Sequence, residues 1–307
     1  MPIDPELDAY HAAVTAAVPP ASPCAPAARR ARLEAVARRF PYPRDAVARQ
    51  DHWIHLSGRE LLVRIYRPRD GALPAILYLH GGGWMAGSVD SHDGACAALA
   101  IDADAIVASV QYRRAPENPW PAPNDDAYDA LLWLARSAGD LGVDAARVAV
   151  GGDSAGAHLA IGVAIEARDR RGPPIALQLL IYPVVEPDFE TTSYREHAIS
   201  ATLTRADMID YWNAYLPQGT AVADTRALPG RGALRGLPPA HIVVAGCDPL
   251  HDEGVRFAEQ LQQEGVAAML IDAPSMTHGF LRAAPYVREA RAVQQAFGRA
   301  AGIALRT

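Results

Sequence analysis

Apolar residues fall at helical spacing in the first fifty positions and in short unbroken runs thereafter. Leu7, Tyr10, Val14 and Val18 predict a helix over Glu6 to Val18. Pro19, Pro20, Pro23 and Pro26 break that pattern, and Leu33, Val36 and Phe40 mark a second amphipathic stretch. These residues read either as an arm docked on the core or as a lid over a pocket.

From His52 the pattern is that of strands. Trp53 to Leu56 and Leu61 to Tyr66 flank Ser57-Gly58-Arg59-Glu60 and predict a hairpin. Further apolar runs follow at Ala75–Leu79, Ala105–Val110, Val148–Val150, Leu177–Ile181, Ile242–Ala245 and Ala268–Ile271. Helical patterns at Ala127–Ala135, Ala157–Ala167 and Val255–Glu264 separate most of them. Alternation of this kind, with strands apolar on both faces, predicts an α/β fold whose mostly parallel sheet is covered on both sides. Reactive loops then gather at the carboxyl ends of the strands. One long departure, from Pro187 to Leu237, carries a helical stretch at Arg205–Leu216 and is a candidate lid. The chain thus divides into an N-terminal segment (1–50), a core (51–186 and 238–307) and an insertion (187–237), all within one compact unit.

Composition narrows the chemistry. Half of the 307 residues are apolar, enough for a large core. The net charge of −6 and the lack of a basic, aromatic-laced stripe argue against nucleic acid. All 29 basic residues are arginine, which excludes Schiff-base and P-loop lysine chemistry. Cys24, Cys96 and Cys247 are widely spaced, so neither a disulfide framework nor a cysteine zinc site is expected. The acidic start has no basic-then-apolar leader, and no apolar run reaches the ~20 residues of a membrane span. The expectation is a soluble cytoplasmic protein without a metal.

Arg147 to Val150 run into Gly151-Gly152-Asp153-Ser154-Ala155-Gly156, and a helix follows. Strand, G-x-S-x-G, helix is the context of a nucleophile elbow, in which Ser154 projects above the sheet while Gly152 and Gly156 supply the required lack of bulk. The strand Ala75–Leu79 ends in His80-Gly81-Gly82-Gly83-Trp84. Backbone N–H groups there, taken as those of Gly81 and Gly82 with Ala155 as a third, are candidates for an oxyanion hole. His80 reads as a brace for that loop.

A serine hydroxyl needs a base. His278 is the last of ten histidines and follows a strand and a loop, as the order Ser, Asp, His demands. His158 reads as a packing residue one helical turn from Ser154. The orienting acid should lie between them at a strand end. Asp248, stopped by Pro249 after Ile242–Cys247, fits best; Asp252 and Glu253 are rivals but open a helix, where carboxylates commonly serve as caps. Trp84, Tyr182, Tyr211, Trp212 and Tyr215 are candidate pocket linings, although aromatics at helical spacing equally serve as core.

With these residues placed, the chain resembles the bacterial hormone-sensitive-lipase family of α/β-hydrolases from about Tyr66 to Phe280. His80–Trp84 matches its H-G-G-G, Gly152–Gly156 its G-D-S-A-G and His278-Gly279-Phe280 its H-G-F. Tyr112–Glu117 is similar to Y-R-L-A-P-E with Arg114 in place of leucine, and Asp248–Glu253 to D-P-L-x-D-E, whose first aspartate is the triad acid. Ser193–Glu196 and Leu203-Thr204 resemble its cap segment. The resemblance implies an eight-stranded sheet, a helical cap built from the N-terminus and the insertion, and no metal or organic cofactor. It also implies hydrolysis of small carboxylic esters with short to medium acyl chains, and frequent homodimers. Deacetylation and lactone or amide hydrolysis use the same triad. Plant gibberellin receptors, which resemble the family without being enzymes, lack the base that His278 supplies here.

Overall fold

Alternate side chains of the strand Leu73–Leu79 enter two different cores. Ala75, Leu77 and Leu79 pack to one side and Ile76 and Tyr78 to the other, as a period of two requires of a sheet buried on both faces. The computed structural model describes residues 2–20, 25–43, 47–216 and 224–307, so Cys24 and parts of the N-terminal segment and insertion lie outside it.

In chain order the elements are α1 (Pro5–Ala17), α2 (Pro26–Arg39), β1 (Ala48–Leu56), β2 (Arg59–Arg67), β3 (Leu73–Leu79), α3 (Asp93–Ala103), β4 (Ile106–Gln111), α4 (Ala122–Arg136), β5 (Val143–Asp153), α5 (Ala155–Arg170), β6 (Leu177–Ile181), α6 (Thr192–Glu196), α7 (Arg205–Tyr215), β7 (Ala240–Cys247), α8 (His251–Gln263), β8 (Ala268–Thr277) and α9 (Arg288–Ala304). The eight strands form one sheet in the order β1-β2-β4-β3-β5-β6-β7-β8. β1 and β2 are antiparallel to their neighbours and the rest run parallel. Residues of α4, α5, α7 and α8 share one core; those of α1, α3 and α9 share the other. The expected eight-stranded α/β fold is the fold observed. No helix among the described residues is long and apolar enough to cross a membrane.

Three local differences have physical causes. The hairpin turns on Ser57-Gly58 alone, because Arg59 pairs with Leu56 and Glu60 with His55. β8 continues past Ile271 to Thr277, its register shifting beside β7 between Ala245 and Cys247, so the loop expected just before His278 is strand. α3 escaped the sequence pattern because its buried stripe is mostly alanine, with little hydropathic contrast to its outer face.

α7 opens with a capping box: the Thr204 side chain accepts from the Asp207 N–H, and the Asp207 carboxylate accepts from the Thr204 N–H. Its inner face buries Met208, Trp212 and Tyr215. Arg29 of α2 spans to its outer turns, 2.9 Å from Asp207 and 3.3 Å from Asp210, with its guanidinium 4.5 Å from the centre of the Tyr211 ring. Arg30 donates to the carbonyls of Met85 and Ala115 at 2.8 and 2.9 Å. These two arginines seat the N-terminal segment against the insertion and beside the loop that follows β3.

Candidate active site

The turn after β5 brings two chain segments into contact. A Cβ on Gly152 or Gly156 would overlap the Leu79 carbonyl oxygen, so neither position admits a side chain. Between them Ser154 adopts φ 56° and ψ −121°, a left-handed conformation that a non-glycine residue rarely takes. α5 starts immediately after it, at Ala155, whose N–H has no acceptor within its own helix.

Ser154 Oγ lies 2.9 Å from Nε2 of His278, and His278 Nδ1 lies 2.7 Å from Oδ2 of Asp248. Asp248 directly follows β7 and is fully buried; its Oδ1 accepts from the Leu250 N–H at 3.0 Å. His278 directly follows β8, and Gly279 turns the chain there with φ 75°. The three residues, remote in sequence, are thus joined by two short hydrogen bonds. A carboxylate facing Nδ1 makes that nitrogen the donor, which leaves Nε2 able to accept the serine proton.

The rival acids are engaged elsewhere. Asp252 accepts from the Ser193 N–H at 2.9 Å and so ties α8 to α6. Glu253 is buried beside the Glu186 N–H, and burial pushes its carboxyl well above the usual range. His80 stacks on Tyr112 with ring centres 4.2 Å apart and holds Nδ1 3.0 Å from the Gly81 carbonyl; burial pushes its pKa down to about 3. It braces the glycine loop as a neutral ring. His158 is also buried, with Nε2 3.0 Å from the Ala227 carbonyl, and burial lowers its pKa to about 4.

The expected oxyanion donors need one correction. The Gly81 N–H donates to Asp153 Oδ1 at 2.9 Å and is not free to meet a substrate. Gly82 and Gly83 instead line the cavity beside Ser154. A Cβ on Gly83 would overlap the Tyr211 ring, so the third glycine is needed for close approach. Its signal lay in the triplet itself; which two glycines face the serine depends on Asp153, far along the chain.

Asp153 anchors a buried network that the motifs did not reveal. It accepts from the Tyr78 hydroxyl at 2.8 Å and lies 3.4 Å from His92 Nε2. Burial works to raise its pKa, but His92, Arg282 and the Tyr78 hydroxyl hold the carboxyl below the usual range. Replacing Asp153 with alanine is expected to cost about 3 kcal/mol of stability, because two buried donors lose their acceptor. Urea denaturation of both proteins checks this, and a loss under about 1 kcal/mol would contradict the network's importance.

Serine, glycine loop and histidine open into one cavity of about 580 Å³, walled also by Arg29 and Leu33 of α2 and by Met208 and Tyr211 of α7. Of the aromatic candidates only Tyr211 is among its walls. Trp84 is fully buried and stacks on Tyr215 at 4.3 Å, with Trp212 at 4.7 Å, so these three fill core under α7. Tyr182 is buried against the His278 ring at 4.6 Å, behind the imidazole and not in the cavity. Aromatic packing between helices, invisible to local spacing, decided these positions.

Comparisons with known proteins agree with this architecture. The family described as the alpha/beta hydrolase fold matches residues 76–282. Carboxylesterase NlhH of Mycobacterium tuberculosis is 44% identical over 230 residues, covering 72% of each chain. Ethyl acetate hydrolase of Pseudomonas putida is 41% identical over 240 residues, covering 76% of each. Among solved structures, a hyperthermophilic esterase from the archaeon Pyrobaculum calidifontis superposes with a TM-score of 0.90 at 35% identity, covering 99% of both chains. The chain therefore belongs to the α/β-hydrolases, in the hormone-sensitive-lipase-like family.

Proposed function

We propose that this protein is a serine carboxylic ester hydrolase acting through an acyl-enzyme on Ser154. The observation that carries the reading is the line Ser154 Oγ, His278, Asp248, with contacts of 2.9 and 2.7 Å. Relatives named carboxylesterase, esterase and ethyl acetate hydrolase support the ester as substrate.

The Ser154 hydroxyl attacks the ester carbonyl as its proton passes to His278 Nε2. The carbonyl oxygen becomes an oxyanion held by the N–H groups of Gly82, Gly83 and Ala155, each such donor typically worth ~10²–10³ in rate. Collapse breaks the ester C–O bond, and the departing alcohol takes the proton from Nε2. Water then gives a proton to Nε2 and attacks the acyl carbon. The second collapse frees the acid and returns the proton to Oγ. Asp248 holds the imidazole in the required tautomer and stabilises its cationic form. In this reading the described helices of the segments 1–50 and 187–237 form a helical cap whose meeting point, at Arg29 and α7, roofs the cavity.

The same reading takes esters of short to medium acyl chains as substrates, in line with the ethyl acetate hydrolase among the relatives. Across p-nitrophenyl esters from acetate to dodecanoate, kcat/KM is expected to peak between butyrate and octanoate and to fall at least about tenfold by dodecanoate. A maximum at dodecanoate would reject the chain-length reading. Absence of hydrolysis across the whole series would reject the esterase itself.

A further inference from the structure

Charge is unevenly matched around the cavity. Its acidic side chains are already engaged: Asp207 and Asp210 by Arg29, Asp153 by Tyr78, the Gly81 N–H and His92. Two cations lining it touch no carboxylate, although Arg282 acts on Asp153 and Asp207 on Arg32 through space. Arg32 of α2 donates from Nε to the Pro19 carbonyl at 3.2 Å, and Arg282, four residues past His278, meets the neighbouring His92 ring at 3.3 Å. Among the described residues neither guanidinium has a carboxylate within ion-pair distance, and Arg282 Nε is buried with no hydrogen-bond partner. Both line the cavity that holds Ser154 and His278. Burial lowers the pKa of Arg32 and the charge of Arg282 lowers it further, against the opposite pull of Tyr211 and Asp207. Two half-buried like charges beside unfilled donors are relieved by an anion, and planar guanidinium forks suit a carboxylate.

We propose that Arg32 and Arg282 form an anion subsite that selects esters carrying a carboxylate remote from the scissile bond. The proposal rests on Ser154 and His278 being the hydrolytic pair. The carboxylate belongs to either the acyl or the alcohol half, and two matched pairs separate these: monoethyl adipate against ethyl hexanoate, and 6-acetoxyhexanoate against hexyl acetate.

The reading is the ratio of kcat/KM for the anionic and neutral member of each pair, which cancels any general loss of activity. In the unaltered protein one pair is expected to favour the anion about tenfold, and the ratio should fall as NaCl is raised. Arg32→Gln and Arg282→Gln should each lower that ratio by about tenfold. A neutral preference in both pairs, or a ratio unmoved by salt and by both substitutions, overturns the subsite. If neither variant folds, the ratio and its salt dependence in the unaltered protein decide alone. Ser154→Ala assayed alongside separates the two claims: activity surviving in it defeats the hydrolytic assignment, whereas an inactive Ser154→Ala with unmoved ratios defeats the subsite only.

Discussion

Ser154→Ala is expected to lower kcat/KM for p-nitrophenyl butyrate by a factor on the order of 10⁴ or more. The argument is covalent: alanine has no atom to carry the acyl group, and His278 cannot compensate because it acts on that hydroxyl. What survives is the contribution of oxyanion donors and substrate binding. The fold should be nearly untouched. Alanine suffers the same left-handed backbone conformation as serine at φ 56° and forfeits only the bond to His278. Unfolding free energy is therefore expected within about 1 kcal/mol of the parent. Steady-state rates and a denaturation curve on one preparation settle both points. A well-folded variant retaining a tenth of the parent rate would remove Ser154 as nucleophile.

Asp248→Asn should cost nearly as much, about 10⁴ in kcat, for a reason of proton placement. Asp248 Oδ2, 2.7 Å from His278 Nδ1, keeps the proton on that nitrogen. An asparagine amide turned to donate there moves the proton to Nε2, which then cannot accept from Ser154. The Leu250 N–H still finds an oxygen on the asparagine, so the loop keeps its shape. Because the residues act as one unit, Ser154→Ala combined with Asp248→Asn should be no slower than Ser154→Ala alone. Multiplying losses in the double variant would mean that Asp248 acts independently of the serine and is not its partner through His278.

Much of the architecture was legible from short-range pattern. The runs Ala75–Leu79 and Leu177–Ile181 reappear as β3 and β6 within two residues at each end, since a strand buried on both faces must be apolar throughout. The elbow was legible because strand, G-x-S-x-G and helix are consecutive in the chain, although the Leu79 carbonyl that forbids a Cβ on Gly152 and Gly156 comes from β3. α3 and the extension of β8 were not, as alanine-rich stripes and register shifts leave little trace in hydropathy.

Residue order by itself placed Ser154 and Asp248 at strand ends and His278 beyond the last strand, whereas the run of β8 up to Thr277 came from its register beside β7. Tertiary structure alone decided which donors remain free beside Ser154. Gly81 and Gly82 are equivalent in sequence, yet a carboxylate from Asp153 takes the first N–H and leaves the next two glycines to the cavity. It also decided that Trp84 is core, that Tyr182 stands behind His278 and that Arg32 and Arg282 face the same cavity. The physical reason is range: backbone propensity and the apolar period of a strand or helix act over a few residues and can be read along the chain. Hydrogen-bond satisfaction and charge pairing act between segments that only folding brings together.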